Sequence, residues 1–129
     1  MPHVSIEYSR NIEDLVDFPA LCDSLRRAGI ETGMFAIAGI RVRATACDHY
    51  SIADGKADRG FIDISVRLRG GRSLEMRKAA TQAVFAAAQE FVADAMDRFP
   101  IALSLEMRDI DPDLSPKLSS IRKFMHGDT

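Results

Sequence analysis

Residues 61–69 read Phe-Ile-Asp-Ile-Ser-Val-Arg-Leu-Arg, so that Ile62, Ile64, Val66 and Leu68 face one way and Asp63, Ser65, Arg67 and Arg69 the other. Strict alternation is the period of an extended chain, and it predicts a strand with one dry face and one wet face. Such a strand needs neighbours at its edges and a cover over its apolar side, and the rest of the chain supplies both. Residues 2–8 alternate Pro2, Val4, Ile6 and Tyr8 against His3, Ser5 and Glu7. Residues 40–47 set Ile40, Val42, Ala44 and Ala46 against Arg41, Arg43, Thr45 and Cys47, and residues 101–108 set Ile101, Leu103, Leu105 and Met107 against Ala102, Ser104, Glu106 and Arg108.

Two stretches between these strands carry helical spacing. The first starts at Pro19, a residue suited to the first turn because its missing N–H has no intrahelical partner there. Leu21, Cys22, Leu25 and Ala28 then recur on one side, and Gly29 is the expected left-handed stop. The second has Ser73 as N-cap, an apolar stripe of Ala80, Val84, Ala87, Phe91 and Ala95 widened by Ala83, Ala88 and Val92, and Pro100 at its end. The stripe reads as packing against a sheet.

The order is β-α-β followed by β-α-β, a diverged repeat of one supersecondary unit. The expected fold class is α+β, with one four-stranded sheet and two helices on one of its faces. The 129 residues suit a single domain, built from units at about 2–47 and 61–108 and a C-terminal tail. Residues 48–60 join the units, and Asp54-Gly55 suits a hairpin turn. The tail from Asp109 holds Pro112 and Pro116 with little periodicity, and is expected to be loosely packed or laid over a neighbouring subunit. The polar sheet face is either solvated or turned toward other subunits of an oligomer.

Seventeen basic against nineteen acidic residues give a net charge of -2, so the chain lacks the positive excess that a nucleic-acid partner demands. No stretch approaches the ~20 apolar residues that span a bilayer, so no membrane partner is expected. The start, Met1-Pro2-His3-Val4, has neither the basic nor the apolar segment of a secretory signal. With only Cys22 and Cys47 there is no disulfide framework; both read as small core residues, and the expected location is the cytoplasm. His3, His49 and His126 have no metal-ligand spacing, so no metal is expected. Nucleotide-binding and nucleophile-elbow motifs are also missing.

Thirteen of the seventeen basic residues are arginine, whose planar fork grips carboxylates with two parallel hydrogen bonds. Arg72, in Gly70-Gly71-Arg72-Ser73, stands just before a helix start, where unpaired N–H groups and the helix dipole favour an anion. Pro2 is the other candidate. Proline after the initiator methionine is compatible with methionine removal, which exposes a secondary amine held in a ring. An α-amino group titrates near ~7.7–8.0, and burial or nearby arginines lower it further, which leaves a neutral base at pH 7.

Five segments in register extend this reading: Pro2-His3 with Glu7-Tyr8-Ser9; Ala38-Gly39-Ile40-Arg41-Val42-Arg43-Ala44; Ala53-Asp54-Gly55-Lys56 with Asp58 and Phe61; Gly71-Arg72-Ser73-Leu74-Glu75 with Arg77; and Ala102-Leu103-Ser104-Leu105-Glu106. With them the chain resembles the 5-carboxymethyl-2-hydroxymuconate isomerase family of the tautomerase superfamily, over nearly its whole length, with the tail beyond Asp109 matching only loosely. The resemblance implies a tautomerase-like fold and a homotrimer, with no metal and no organic cofactor expected. It implies Pro2 as the catalytic base and functional roles for Arg41 and Arg72. The implied reaction moves a proton across a conjugated dienol to an enone in bacterial breakdown of homoprotocatechuate, on a small polycarboxylate. Arg41 then acts in catalysis and binding by polarising the 2-oxygen or holding the adjacent carboxylate, Arg72 binds another carboxylate, and Arg43 is a nearby binding candidate. A different reaction on the same proline, such as dehalogenation, and a non-catalytic module that binds a small carboxylate are the alternatives. One tension is visible: alternation puts Pro2 on the Val4 and Ile6 side, opposite Arg41.

Overall fold

The computed structural model describes residues 1–125; His126 and the three residues after it lie outside the described residues. Strand β1 (His3–Ser9) leads through a short 3-10 turn to helix α1 (Phe18–Glu31), then come β2 (Arg41–Cys47), β3 (Gly60–Arg69), helix α2 (Leu74–Arg98) and β4 (Ile101–Ile110). The sheet order is β2-β1-β3-β4. Each outer pair is parallel and the central pair β1–β3 is antiparallel. A parallel pair needs a crossover, and α1 and α2 supply the two crossovers. The α+β arrangement expected from the alternation is therefore the one observed, with both helices contributing to a core on one sheet face.

That core joins Val4, Ile6, Ile62, Ile64, Val66 and Leu68 of the sheet to Leu21 and Leu25 of α1 and Ala80, Val84, Ala88 and Val92 of α2. Alanines at two of these four α2 positions let the long helix lie close on the sheet. Ala83, expected in this stripe, is exposed. Its neighbours at i+1 and i+5, Val84 and Ala88, define the buried line, and Ala83 falls off its edge. Ser73 caps α2 as expected, its hydroxyl accepting from the Met76 N–H at 3.2 Å. Helix α1 is capped by Asp17, whose carboxylate accepts from the Ala20 N–H at 3.0 Å, one residue earlier than the proline alone indicates.

Four sequence expectations need correction. Gly29 does not stop α1, which continues to Glu31; the left-handed residue is Gly33, with φ +78°. Gly29 is there for close approach, since a Cβ on it would stand 3.0 Å from Ile40 and 3.2 Å from the Phe35 ring. The Asp54-Gly55 turn forms, with the Gly55 N–H donating to the Ile52 carbonyl at 2.8 Å. It closes no hairpin, however, because β2 and β3 each pair with β1 and not with one another. Cys47 ends β2 on the polar side and is only partly covered, whereas Cys22 packs against the core. The tail is also less formless than expected. Asp109 and Ile110 belong to β4, and residues 115–122 return over the end of the sheet that holds the N-terminus.

Candidate active site

Register places the polar side chains in rows. His3 on β1 stands beside Arg41 on β2 and beside Arg67 on β3, and Arg67 stands beside Arg108 on β4. The row at the N-terminal end of β1 is thus three guanidinium groups and one imidazole. Arg41 Nη1 lies 3.2 Å from His3 Nε2, and Arg43 Nη1 lies 3.2 Å from His3 Nδ1. Guanidinium nitrogens only donate, and a neutral imidazole has one accepting nitrogen, so at most one of these contacts is a full hydrogen bond. Burial lowers the His3 pKa below its usual value, and Arg41, Arg67 and Arg43 push it further down. The ring is consequently a neutral spacer between two cations.

Two adjoining cavities open at this end of the sheet. The larger, about 620 Å³, is lined by His3, Arg41, Arg67 and Arg69 from the sheet and by Lys117 and Ser119 from the tail. The smaller, about 440 Å³, contains Pro2, Gly39, Arg69, Arg72 and Arg122, again with Lys117 and Ser119. Met1 lines both, and its sulfur accepts from Arg41 Nη2 at 2.8 Å. Neither cavity has an aspartate or glutamate among its described lining residues. Such a surface repels further cations and strengthens any carboxylate contact, because the fields of several guanidinium groups add in a partly dry cleft.

Local sequence explains how each group arrives. Pro2 is buried under the loop that precedes β2, and its carbonyl accepts from the Arg41 N–H at 3.2 Å. Gly39 makes that approach possible, since a Cβ there would sit 3.3 Å from Pro2 Cδ. Gly71, at φ +104°, allows the sharp turn from β3 into α2 that brings Arg72 back toward the N-terminus. Arg72 is held by its donations to the Arg69 carbonyl at 3.1 Å and the Met34 carbonyl at 3.2 Å. The terminal amine, here on Met1, has its pKa lowered by burial first and then by Lys117, Arg41 and Arg69.

Pro2 and Arg72 therefore meet in one cavity, and Arg41 lines the next, beyond Met1. The opposition between Pro2 and Arg41 is real, as Pro2 lies on the core side of the strand and Arg41 on the polar side, but the two cavities adjoin around the strand end. Arg43 lines neither cavity and reaches only His3. Sequence reasoning did not single out His3, Arg69 or Lys117. The alternation of residues 61–69 already aims Arg69 to the polar side, whereas nothing local marks Lys117. Among the described residues, no three His, Cys, Asp or Glu side chains gather as a metal would require, and no helix is long and apolar enough to cross a membrane.

The family model described as 5-carboxymethyl-2-hydroxymuconate isomerase matches residues 2–125. The chain is 33% identical to the 5-carboxymethyl-2-hydroxymuconate Delta-isomerase of Escherichia coli over 121 residues, covering 94% of this chain and 96% of that one. It superposes on the crystal structure of a 5-carboxymethyl-2-hydroxymuconate isomerase from Deinococcus radiodurans R1 with a TM-score of 0.88 and 26% identity, covering 95% and 92% of the two chains. A fused 4-OT wild-type symmetric trimer shares the fold alone, at 17% identity and a TM-score of 0.65, with 92% of each chain covered.

Proposed function

The chain belongs to the 5-carboxymethyl-2-hydroxymuconate isomerase family, of the tautomerase superfamily, and on that premise we propose how its own residues carry out the isomerisation. Removal of Met1 frees the Pro2 nitrogen and takes away the side chain that stands between the two cavities. The new terminal amine then lies amid Arg41, Arg69, Arg72 and Lys117. Burial, Lys117, Arg41 and Arg69 already lower the pKa of the amine on Met1, and the same surroundings favour the neutral form of the amine on Pro2. It takes the hydroxyl proton of a conjugated dienol, or a proton from carbon, and returns it to another carbon of the same molecule. One base serves both steps, so no separate acid is needed.

The observation that carries this reading is the acid-free cationic lining around the N-terminus. Arg72 holds one substrate carboxylate. Arg41 faces the 2-oxygen or the carboxylate beside it and stabilises the charge that builds there. Arg43 has a supporting place, across His3 from Arg41. The substrate is 5-carboxymethyl-2-hydroxymuconate or a close polycarboxylate, an intermediate of homoprotocatechuate breakdown in the cytoplasm. The working assembly is a homotrimer, supported by the fold shared with a symmetric trimer and by apolar tail residues open to solvent, Leu118 and Phe124 among them.

The experiment is an assay of 5-carboxymethyl-2-hydroxymuconate with intact mass measured on the same untagged preparation. The expected mass lacks one methionine. Pro2→Ala keeps an amine but loses the ring, and is expected to lower kcat by on the order of tenfold, short of the ~10²–10⁴ that a positioned base supplies. Arg72→Ala removes a charge-assisted contact and should raise KM about tenfold or more. Full retention of Met1, or full activity in both variants, overturns the proposal.

A further inference from the structure

We propose that Lys117, carried by the C-terminal tail, binds a third carboxylate of the substrate and sets the preference for a tricarboxylate over a dicarboxylate. The proposal rests on the isomerase reading above and deepens it. It starts from the way the tail is folded. After β4 the chain is turned by a 3-10 turn at Pro112–Leu114, where the Asp111 carboxylate accepts from the Asp113 N–H at 2.9 Å. The Ser115 hydroxyl donates to the Asp111 carbonyl at 2.6 Å and sets the direction of the next residues. They pass back over the strand ends, and Lys117 and Ser119 become the two tail residues that line both cavities, the one with Arg41 and the one with Pro2 and Arg72, Lys117 being the only lysine among their described lining residues.

The charges at this place do not balance within the described chain. None of its ion pairs uses Lys117, Arg41 or Arg72. Lys117 instead shares both cavity linings with Met1, and after burial it is the largest cause that lowers the pKa of the terminal amine. Arg41, from the start of β2, and Arg72, from the turn before α2, are thus joined by Lys117 from the tail, with Arg67, Arg69 and Arg122 also in the linings. A flat conjugated diacid satisfies the two arginines, one at each end. Of the cations left over, Lys117 is the one carried by the tail into both cavities, and a compact charge on a flexible stem suits a carboxylate carried on a side arm.

The test compares wild type, Lys117→Met and Lys117→Arg on 5-carboxymethyl-2-hydroxymuconate and on 2-hydroxymuconate. The quantity read is the ratio of kcat/KM for the tricarboxylate to that for the dicarboxylate. This ratio cancels any influence of Lys117 on the base, which both substrates share. Lys117→Met is expected to lower the ratio about tenfold or more, through KM, and Lys117→Arg to restore part of it. A ratio within twofold of wild type, with both substrates weakened alike, overturns the inference. Calorimetry with propane-1,2,3-tricarboxylate and glutarate gives the same ratio without turnover. If wild type is inert to both substrates, the isomerase reading fails by itself, and the calorimetric ratio still decides the role of Lys117: a fall in the Met variant supports it and an unchanged ratio overturns it.

Discussion

Gly39 leaves no room beside Pro2. An added Cβ would be 3.3 Å from the ring Cδ, an atom bonded to the nitrogen proposed as base. Gly39→Ala therefore displaces the ring before it disturbs the core. Because small misplacements of a reacting group cost up to ~10² in rate, kcat should fall on the order of tenfold or more while the urea midpoint moves little. An unchanged kcat would mean that the ring position is not critical. His3 offers a second test at this scale. Its folded-state pKa lies below the ordinary 6.5, chiefly through burial and then through Arg41. As the pH falls below about 6.5 the unfolded chain takes up the proton first, so stability is complete above that pH and declines below it. Urea midpoints at pH 7.5 and 5.5 should differ less in His3→Gln than in wild type.

Among the elements, β3 depends on the glycine at its start. A Cβ on Gly60 would be 2.6 Å from Ile12 Cγ2, a fully buried atom that has nowhere to go. Gly60→Ala should cost ~1–3 kcal/mol, read from the shift in denaturant midpoint, and a neutral effect would show that the 3-10 turn at Arg10–Ile12 yields freely. The strands were legible because alternation is a local signal, and so was α2, whose cap and stripe lie within one segment. The end of α1 was not, since Gly29 answers to Ile40 and Phe35 and not to its helix neighbours. The false hairpin has the same origin: a turn residue reports its own dihedral angles, not which strand lies between its flanks. Of the candidate site, Pro2, Arg41 and Arg72 could be named from sequence, while Lys117 could not. Its place depends on where β4 ends and how the next turn aims the chain.

At the scale of the whole molecule, the polar sheet face has a gradient. The row of Arg41, His3, Arg67 and Arg108 is basic, the next holds Arg43, Ser5, Ser65 and Glu106, and the third holds Thr45, Glu7, Asp63 and Ser104. A chain with net charge -2 thus concentrates positive potential at one end, where an anionic substrate is drawn in. Leu118 is 99% and Phe124 68% exposed, more apolar surface than a short tail leaves in water without a partner. Light scattering should accordingly return the mass of three 14.2 kDa chains, and a monomer at micromolar concentration would count against the trimer. Met1, with its thioether on Arg41 and a place in the lining of both cavities, has a practical corollary. With Pro2 as the proposed base, a nascent polypeptide would leave the ribosome dormant and be switched on by an aminopeptidase. On the same proposal, an affinity handle fused ahead of the proline would keep it off, and a tag at the opposite terminus, or cleavage back to the proline, would leave the amine free.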